Sequence, residues 1–145
     1  DLACYAAIGE EDIKTVMAHP AVMVAADSIP PAEGAGAHPR SFGTHPRVIA
    51  KYVREEKVLS LEEAVRKMTS MPAARYGMHQ KGLVREGMDA DILVFDPEKV
   101  RDNATYENPT ELASGMDYVF VNGVMTLEGG SFTGEAAGEV MRKGR

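Results

Sequence analysis

Residues 87–97 read GMDADILVFDP and residues 118–125 read YVFVNGVM, and these two stretches decide what the second half of the chain can form. Each is a short run of β-branched and large apolar residues bounded by Gly, Asp or Pro, which is typical of a strand that ends in a turn. Asn122 and Gly123 stand between two apolar runs, as in a two-residue type I′ hairpin. These residues predict a small β unit whose strand segments begin near Leu83.

Helical periodicity prevails in the first half of the chain. Residues 10–19 place apolar side chains at helical spacing, with three acids in the first turn and a proline after the last. A second helix is predicted over 46–56. Ser60 and Glu63 have the side chains of a capping box that opens a third helix. A short fourth helix is predicted over 72–76, between a proline and a glycine.

Between the first two helices lies a candidate catalytic position. The continuous apolar run that begins at Val22 predicts a buried parallel strand over 22–27. Residues 28–43 contain six glycines and prolines, so we expect a long loop there. Asp27 stands at the junction, where barrel enzymes place their chemistry, and its carboxylate could hold a metal or accept a proton from a metal-bound water. The alternative is that Asp27 only caps a turn.

Composition limits the class of protein. The chain has 145 residues, 44% of them hydrophobic and 26% charged, as in ordinary folded domains. It has no apolar run of about 20 residues and no signal-peptide pattern, so we expect a cytoplasmic protein with no membrane partner. The net charge of −6 argues against nucleic acid, and the basic residues between 47 and 57 are expected to form a solvated helix face. Cys4, the single cysteine, is expected to be a small buried apolar residue.

The sequence motifs of the chain resemble those of one enzyme family in their order and spacing. It is similar to the last third of the N-acyl-D-amino-acid deacylases, or D-aminoacylases, in the metal-dependent amidohydrolase superfamily. ADILVFD is shared across many amidohydrolases, whereas HPR followed by FGT and PR is more characteristic of this subgroup. The stretches that carry the resemblance are VMVAADS at 22–28, AHPRSFGTHPRVI at 37–49, LSLEEAVRKMTSMPA at 59–73 and ADILVFD at 90–96.

The resemblance implies an α+β fragment of a larger fold. Residues 1–82 would be the last β/α unit and helices of a TIM-type (β/α)8 barrel, with the strand 22–27, an active-site loop 28–43 and helices over 44–77. Residues 83–145 would be the C-terminal strands of a small β-sandwich. A complete barrel needs about 250 residues. We therefore expect a missing N-terminal part of the same protein as the main partner, with homo-oligomerisation as a further possibility.

The resemblance also implies roles for three residues. Asp27 matches the family's aspartate on the eighth strand, which takes a proton from zinc-bound water and passes it to the leaving amine. Arg40 matches an arginine that holds the substrate carboxylate, a task suited to its planar, two-pronged donors. His38 is a second candidate substrate-binding residue; the alternative is a histidine bonded to loop backbone.

Zinc is the cofactor that the resemblance implies for the complete enzyme. The family draws its zinc ligands from earlier barrel strands, and Asp27 is the only candidate ligand here. We therefore expect this chain alone to hold no metal and to be catalytically inert. His45 is expected to have a packing role, and His19 and His79 are expected to be structural because they lack metal-ligand spacing.

Three functions remain open at this stage. The first is the C-terminal fragment of a zinc-dependent amidohydrolase that cleaves the amide bond of N-acyl-D-amino acids. The second is a non-catalytic, stand-alone oligomeric module in which the family's sequence motifs have only a structural role. The third is a fragment of a cyclic-amide hydrolase of the dihydroorotase or hydantoinase type.

Overall fold

Helices precede strands along the chain, as the predicted α+β class requires. The computed structural model describes residues 7–28 and 37–141. Within them the elements are α1 Glu10–Ala18, α2 Arg40–Arg47, a π-helical segment Val48–Glu55, α3 Leu61–Met68, α4 Ser70–Tyr76, β1 Ile92–Phe95, β2 Met116–Val121, β3 Val124–Glu128 and β4 Ser131–Phe132. No helix in the described ranges is long and apolar enough to cross a membrane.

The segment after α1 corrects the predicted strand. Residues 22–28 adopt no regular secondary structure, and Asp27 and Ser28 are exposed. A strand requires a neighbour that accepts and donates its backbone hydrogen bonds. The structure instead places α3 beside this segment, where Val24 N donates to Lys67 O at 3.2 Å. The prediction was therefore wrong for this part of the chain.

Helix α2 corrects the expected loop over 28–43. The helix begins at Arg40, so the last four loop residues are helical, while residues 29–36 lie outside the described part, as does Cys4. Pro46 lies inside α2 and has no N–H to donate to the preceding turn. After it the chain continues as a π-helix, in which Glu56 N donates to Lys51 O at 2.8 Å.

The next two helices lie close to their predicted positions. Ser60 is the N-cap of α3, and its Oγ accepts from Glu63 N at 3.2 Å, which confirms the helix start. Helix α4 ends at Gly77 (φ +73°) as predicted, but it begins at Ser70. Pro72 is tolerated there because the first N–H groups of a helix have no internal partner.

The four strands form one antiparallel sheet in the order β1-β2-β3-β4. Asn122 (φ +49°) and Gly123 (φ +78°) join β2 to β3, which confirms the type I′ hairpin. The sheet begins at Ile92, so the expectation of a strand near Leu83 was wrong. Every strand residue is half-buried or exposed, so no residue of the sheet is fully buried within the described structure.

The core lies among the helices. Val48, Leu59 and Ala64 are buried against one another. The partly buried residues packed against them are Met17, Val24, Val53, Val58 and Met68. The segment 22–28 therefore contributes to the core through Val24, and this packing fixes the path of the chain toward Asp27.

The basic residues of the π-helical segment do not form the solvated face that we expected. Lys51 Nζ bonds Glu10 Oε1 at 2.7 Å. Arg54 Nη1 donates to Pro97 O at 2.8 Å and to Val100 O at 2.9 Å. These side chains connect the segment to α1 and to the β region, a role that helical spacing alone does not indicate.

Candidate functional site

Asp27 presents its carboxylate to solvent at the end of the apolar segment. Its backbone is left-handed, with φ +48°, and its side chain is 85% exposed. Asp is one of the few residues that adopt this conformation at modest cost. The local geometry therefore turns the chain sharply and leaves the carboxylate accessible.

Arg40, the first residue of α2, reaches Asp27. Its Nη1 lies 3.3 Å from Asp27 Oδ2, and its carbonyl accepts from Thr44 Oγ1 at 2.8 Å. An ion pair between two exposed side chains contributes about 1 kcal/mol or less to stability. The pair brings together the two residues for which the sequence predicts a catalytic and a substrate-binding role.

His38 is held by backbone beside this pair. Its Nδ1 accepts from Arg40 N at 3.1 Å, and its ring meets the edge of the Tyr106 ring at 5.4 Å and 83°. Because Nδ1 accepts, the neutral imidazole carries its proton on Nε2. The backbone contact is the alternative that we gave for His38, and its role in substrate binding stays a prediction.

A segment of the β region packs behind α2, which the sequence did not indicate. The carboxylate of Asp102 is only 10% exposed and lies against Gly43, where an added Cβ would come within 1.9 Å of Oδ1. Arg47 Nη1 approaches the same carboxylate at 3.4 Å. In the sequence Gly43 was one of the glycines and prolines that predicted a loop over 28–43, so nothing there indicated a close approach by Asp102.

Lys67 is the second residue that sequence reasoning missed. It lies on the core-facing side of α3 and is 1% exposed. Its ammonium donates to His19 O at 2.5 Å and to Val22 O at 2.9 Å, and Glu63 Oε1 lies 3.7 Å away. A lysine one turn from Ala64, on the apolar face of a helix, was the available indication.

Two of the other histidines, His19 and His45, contact backbone and apolar residues respectively. His19 Nδ1 accepts from Ala21 N at 3.2 Å, in keeping with its predicted structural role. His45 borders an apolar cleft of about 770 Å³ between the helices and the sheet, with Ile49 and Phe95 among its walls. Partial burial lowers the pKa of His45, although part of the residue stays in contact with solvent. Because the residue as a whole is exposed, the packing role expected for His45 stays a prediction.

The described residues do not by themselves fit a zinc site. In residues 7–28 and 37–141, no three His, Cys, Asp or Glu side chains converge to hold a metal ion. The charged partner of Asp27 is the cation of Arg40, whereas a catalytic zinc is held by about three histidine, cysteine or carboxylate ligands.

Comparisons with known proteins show which sequences the chain is similar to. A sequence profile of the amidohydrolase family matches residues 6–127. The chain is 41% identical, over 97% of its length, to a D-aminoacylase of Alcaligenes xylosoxydans xylosoxydans, of which it covers 29%. It is 42% identical to a dihydroorotase of Lactobacillus gasseri, but over only 33% of this chain and 11% of the dihydroorotase.

Two solved structures are similar in fold. A D-aminoacylase with a binuclear metal centre has a TM-score of 0.84 and 42% identity, over 90% of this chain and 27% of that chain. An N-acyl-D-glutamate deacylase from Bordetella bronchiseptica, complexed with zinc and a phosphonate inhibitor, has a TM-score of 0.78 and 39% identity, over 82% of this chain and 25% of that chain.

The chain belongs to the amidohydrolase family, and its resemblance to the D-aminoacylases is confirmed. These relatives are metal-dependent enzymes, as their binuclear and zinc-bound centres show. The chain spans less than a third of the relatives that it matches over most of its own length.

Proposed function

We propose that this chain is the C-terminal part of a zinc-dependent deacylase that hydrolyses the amide bond of N-acyl-D-amino acids. It supplies Asp27 as the general acid and base and Arg40 as the group that binds the substrate carboxylate. The observation that carries the proposal is the 3.3 Å approach of Arg40 Nη1 to Asp27 Oδ2. The similarity to D-aminoacylase over 97% of the chain supports the substrate class.

The two side chains suit the two ends of such a substrate. Asp27 accepts a proton from the attacking water as the C–O bond forms, and it returns that proton to the nitrogen as the C–N bond breaks. Arg40 binds the carboxylate of the D-amino acid with parallel N–H donors. Zinc in the complete enzyme would supply electrostatic activation of the carbonyl and the water, and residues outside the described ranges would have to hold it.

The remaining protein would complete two open surfaces. A cleft of about 310 Å³ between α1 and the Asp27 segment is lined by Ile13, Val16 and Val24. Earlier barrel strands would cover this cleft. No strand residue of the sheet is fully buried, so further strands of the expected β-sandwich could pack on it. The proposal keeps the division between the barrel part and the β-sandwich part at residues 82 and 83.

The test uses the complete enzyme with Asp27→Asn and Arg40→Met. Asn preserves the shape of Asp27 but cannot take a proton, so kcat should fall about 10²- to 10⁴-fold with zinc content unchanged. Arg40→Met should raise KM for an N-acyl-D-amino acid. The matched control is the same substrate with its carboxylate converted to an amide, for which parent and Arg40→Met should have equal KM.

Each open alternative has an outcome that identifies it. Turnover that survives in Asp27→Asn contradicts the catalytic role of Asp27 and supports the alternative of a non-catalytic module that keeps the family's sequence motifs. Turnover of a cyclic amide in preference to the linear substrate supports the dihydroorotase-like alternative. An equal penalty for Arg40→Met on the acid and on its amide removes the carboxylate-binding role.

A further inference from the structure

Lys67 is a buried charge that contributes to neither end of the proposed reaction. Among the described residues it is the one charged side chain classed as fully buried. Removing an ammonium group from water is costly unless polar partners replace the hydration. Lys67 must therefore have polar partners that replace its hydration, and the identity of these partners indicates its role.

Both hydrogen-bond acceptors of the ammonium lie on the path to Asp27, while Glu63 Oε1, on the same helix, is a more distant ionic partner at 3.7 Å. The acceptors are the carbonyls of His19 and Val22, at 2.5 and 2.9 Å. The backbone of the same lysine bonds that segment as well, because Val24 N donates to Lys67 O at 3.2 Å. One residue of α3 therefore holds the chain at three successive points ahead of Asp27.

The ammonium of Lys67 also stabilises the C-terminal end of α1. His19 is the C-cap of this helix, and its last turn contains no basic residue. The C-terminal end of a helix carries partial negative charge on carbonyls that lack an internal partner. Lys67 supplies the missing cation from another helix and directs the chain out of α1 into the segment 22–28.

We propose that Lys67 is a positioning residue that sets the location of the Asp27 carboxylate through the segment 19–24. The proposal rests on the function proposed above for Asp27. The segment has no strand pairing in the described structure, so the ammonium and the Lys67 carbonyl hold it in place of a ladder. A displacement of about 1 Å in a catalytic group can cost about 10² in rate.

The experiment uses the complete enzyme and a double-mutant cycle. Lys67→Met removes the ammonium with little change in side-chain length, and we expect kcat to fall at least about tenfold while KM and zinc content stay within about twofold. If Lys67 acts through Asp27, adding Lys67→Met to Asp27→Asn should leave the residual kcat unchanged. Multiplicative losses in the double variant would overturn the proposal.

A second readout does not depend on turnover. Hydrogen–deuterium exchange over residues 19–28 should accelerate at least tenfold in Lys67→Met, while exchange in the β2–β3 hairpin stays unchanged. The matched control is Lys81→Met, which removes a lysine bonded to Asp91 in the β region and should leave residues 19–28 and kcat unaffected. If Lys67→Met does not fold, Lys67→Gln keeps two N–H donors and carries the same expectations at smaller amplitude.

The two proposals fail in distinguishable ways. Full turnover in Asp27→Asn overturns the proposed function, and the exchange rates of residues 19–28 then decide on Lys67 alone. Unchanged exchange in the folded Lys67 variant overturns the positioning role, whatever the activity of Asp27→Asn.

Discussion

At the scale of single residues, Gly43 shows how the characteristic motif of this chain depends on a distant partner. The HPR…FGT…PR motif begins at His38, just before α2, and continues along that helix, where Gly43 leaves room for the nearly buried carboxylate of Asp102. That carboxylate accepts from Ala104 N at 3.2 Å and lies near Arg47. The motif is therefore partly a docking surface for the β region, in addition to carrying Arg40.

Gly43→Ala should destabilise the protein. In the interior of a solvent-exposed helix, a change from glycine to alanine would stabilise the protein by up to about 1 kcal/mol. Here the new Cβ would come within 1.9 Å of Asp102 Oδ1, and we expect a net loss of about 1–3 kcal/mol as the packing shifts. Denaturant unfolding measures the change. The control is Gly138→Ala, because an added Cβ there meets nothing within 4 Å.

A double variant tests the cause of that loss. Gly43→Ala combined with Asp102→Ala should be less destabilised than the sum of the two single changes, because the clash disappears with the carboxylate. Additive losses would show that the glycine is needed for another reason.

At the scale of elements, Asp91 joins the hairpin to the connection that follows α4. Its Oδ1 accepts from Asn122 N at 2.8 Å, and its Oδ2 bonds Lys81 Nζ at 2.5 Å. Gly123 N donates to Ala90 O at 3.0 Å, so the turn is held at two adjacent positions. The first aspartate of ADILVFD therefore has a structural role in this chain.

Asp91→Asn should reduce stability in a pH-dependent way. The hydrogen bond from Lys81, followed by that from Asn122 N, holds the pKa of Asp91 below its usual range. A lowered carboxyl pKa stabilises the fold above the ordinary value of 3.8, and the contribution disappears as the pH falls through the folded-state pKa. The carboxylate is 39% exposed, so we expect a loss of about 1 kcal/mol at neutral pH.

Unfolding measured at neutral pH and well below the carboxyl range checks this expectation. The difference between the parent and Asp91→Asn should shrink in acid. A difference that is independent of pH would mean that the side chain acts through packing rather than charge.

At the scale of the whole molecule, α1 is attached to the rest of the chain through charged side chains and through Met17, which packs against the core. None of its residues is buried. Glu10 bonds Lys51 at 2.7 Å and the Tyr52 hydroxyl at 2.8 Å, and Lys14 reaches Glu56 at 2.5 Å. Its apolar side chains face the open cleft beside the Asp27 segment, which the proposed function assigns to the rest of the barrel.

Val16→Glu should weaken the association of this chain with the preceding part of the complete protein. Val16 lines the cleft and is 55% exposed, so a charge there would have to be buried in the complex. We expect a Kd at least tenfold higher by titration calorimetry of the two parts, about 1.4 kcal/mol. Val140→Glu is the control, since Val140 is 85% exposed and does not line this cleft.

An equal effect of Val16→Glu and Val140→Glu would contradict a specific contact in the cleft. Failure of the two parts to associate at all, with the present chain folded, would favour the stand-alone module over the fragment.

The fold was predictable from sequence wherever short-range chemistry decides. The Asn122-Gly123 turn and the Ser60 cap depend on backbone conformations and side-chain bonds within a few residues, and both formed as predicted. The strand over 22–27 failed because strand formation depends on neighbours that local apolar character does not supply. Arg40 to Gly43 formed a helix because Pro39, at the N-cap, has no N–H to leave unpaired and its carbonyl accepts from Gly43 N at 2.9 Å.

The sequence by itself determined the β hairpin, the helix caps, the family and the choice of Asp27 and Arg40 as chemical candidates, because these follow from local patterns and motif wording. Only the tertiary structure decided that Arg40 reaches Asp27, that Asp102 packs on Gly43, and that Lys67 holds the segment before Asp27. These contacts join residues that lie 13 to 59 positions apart in the chain. Their partners are chosen by packing and by the need to satisfy buried polar groups, and neither requirement leaves a periodic trace in the sequence.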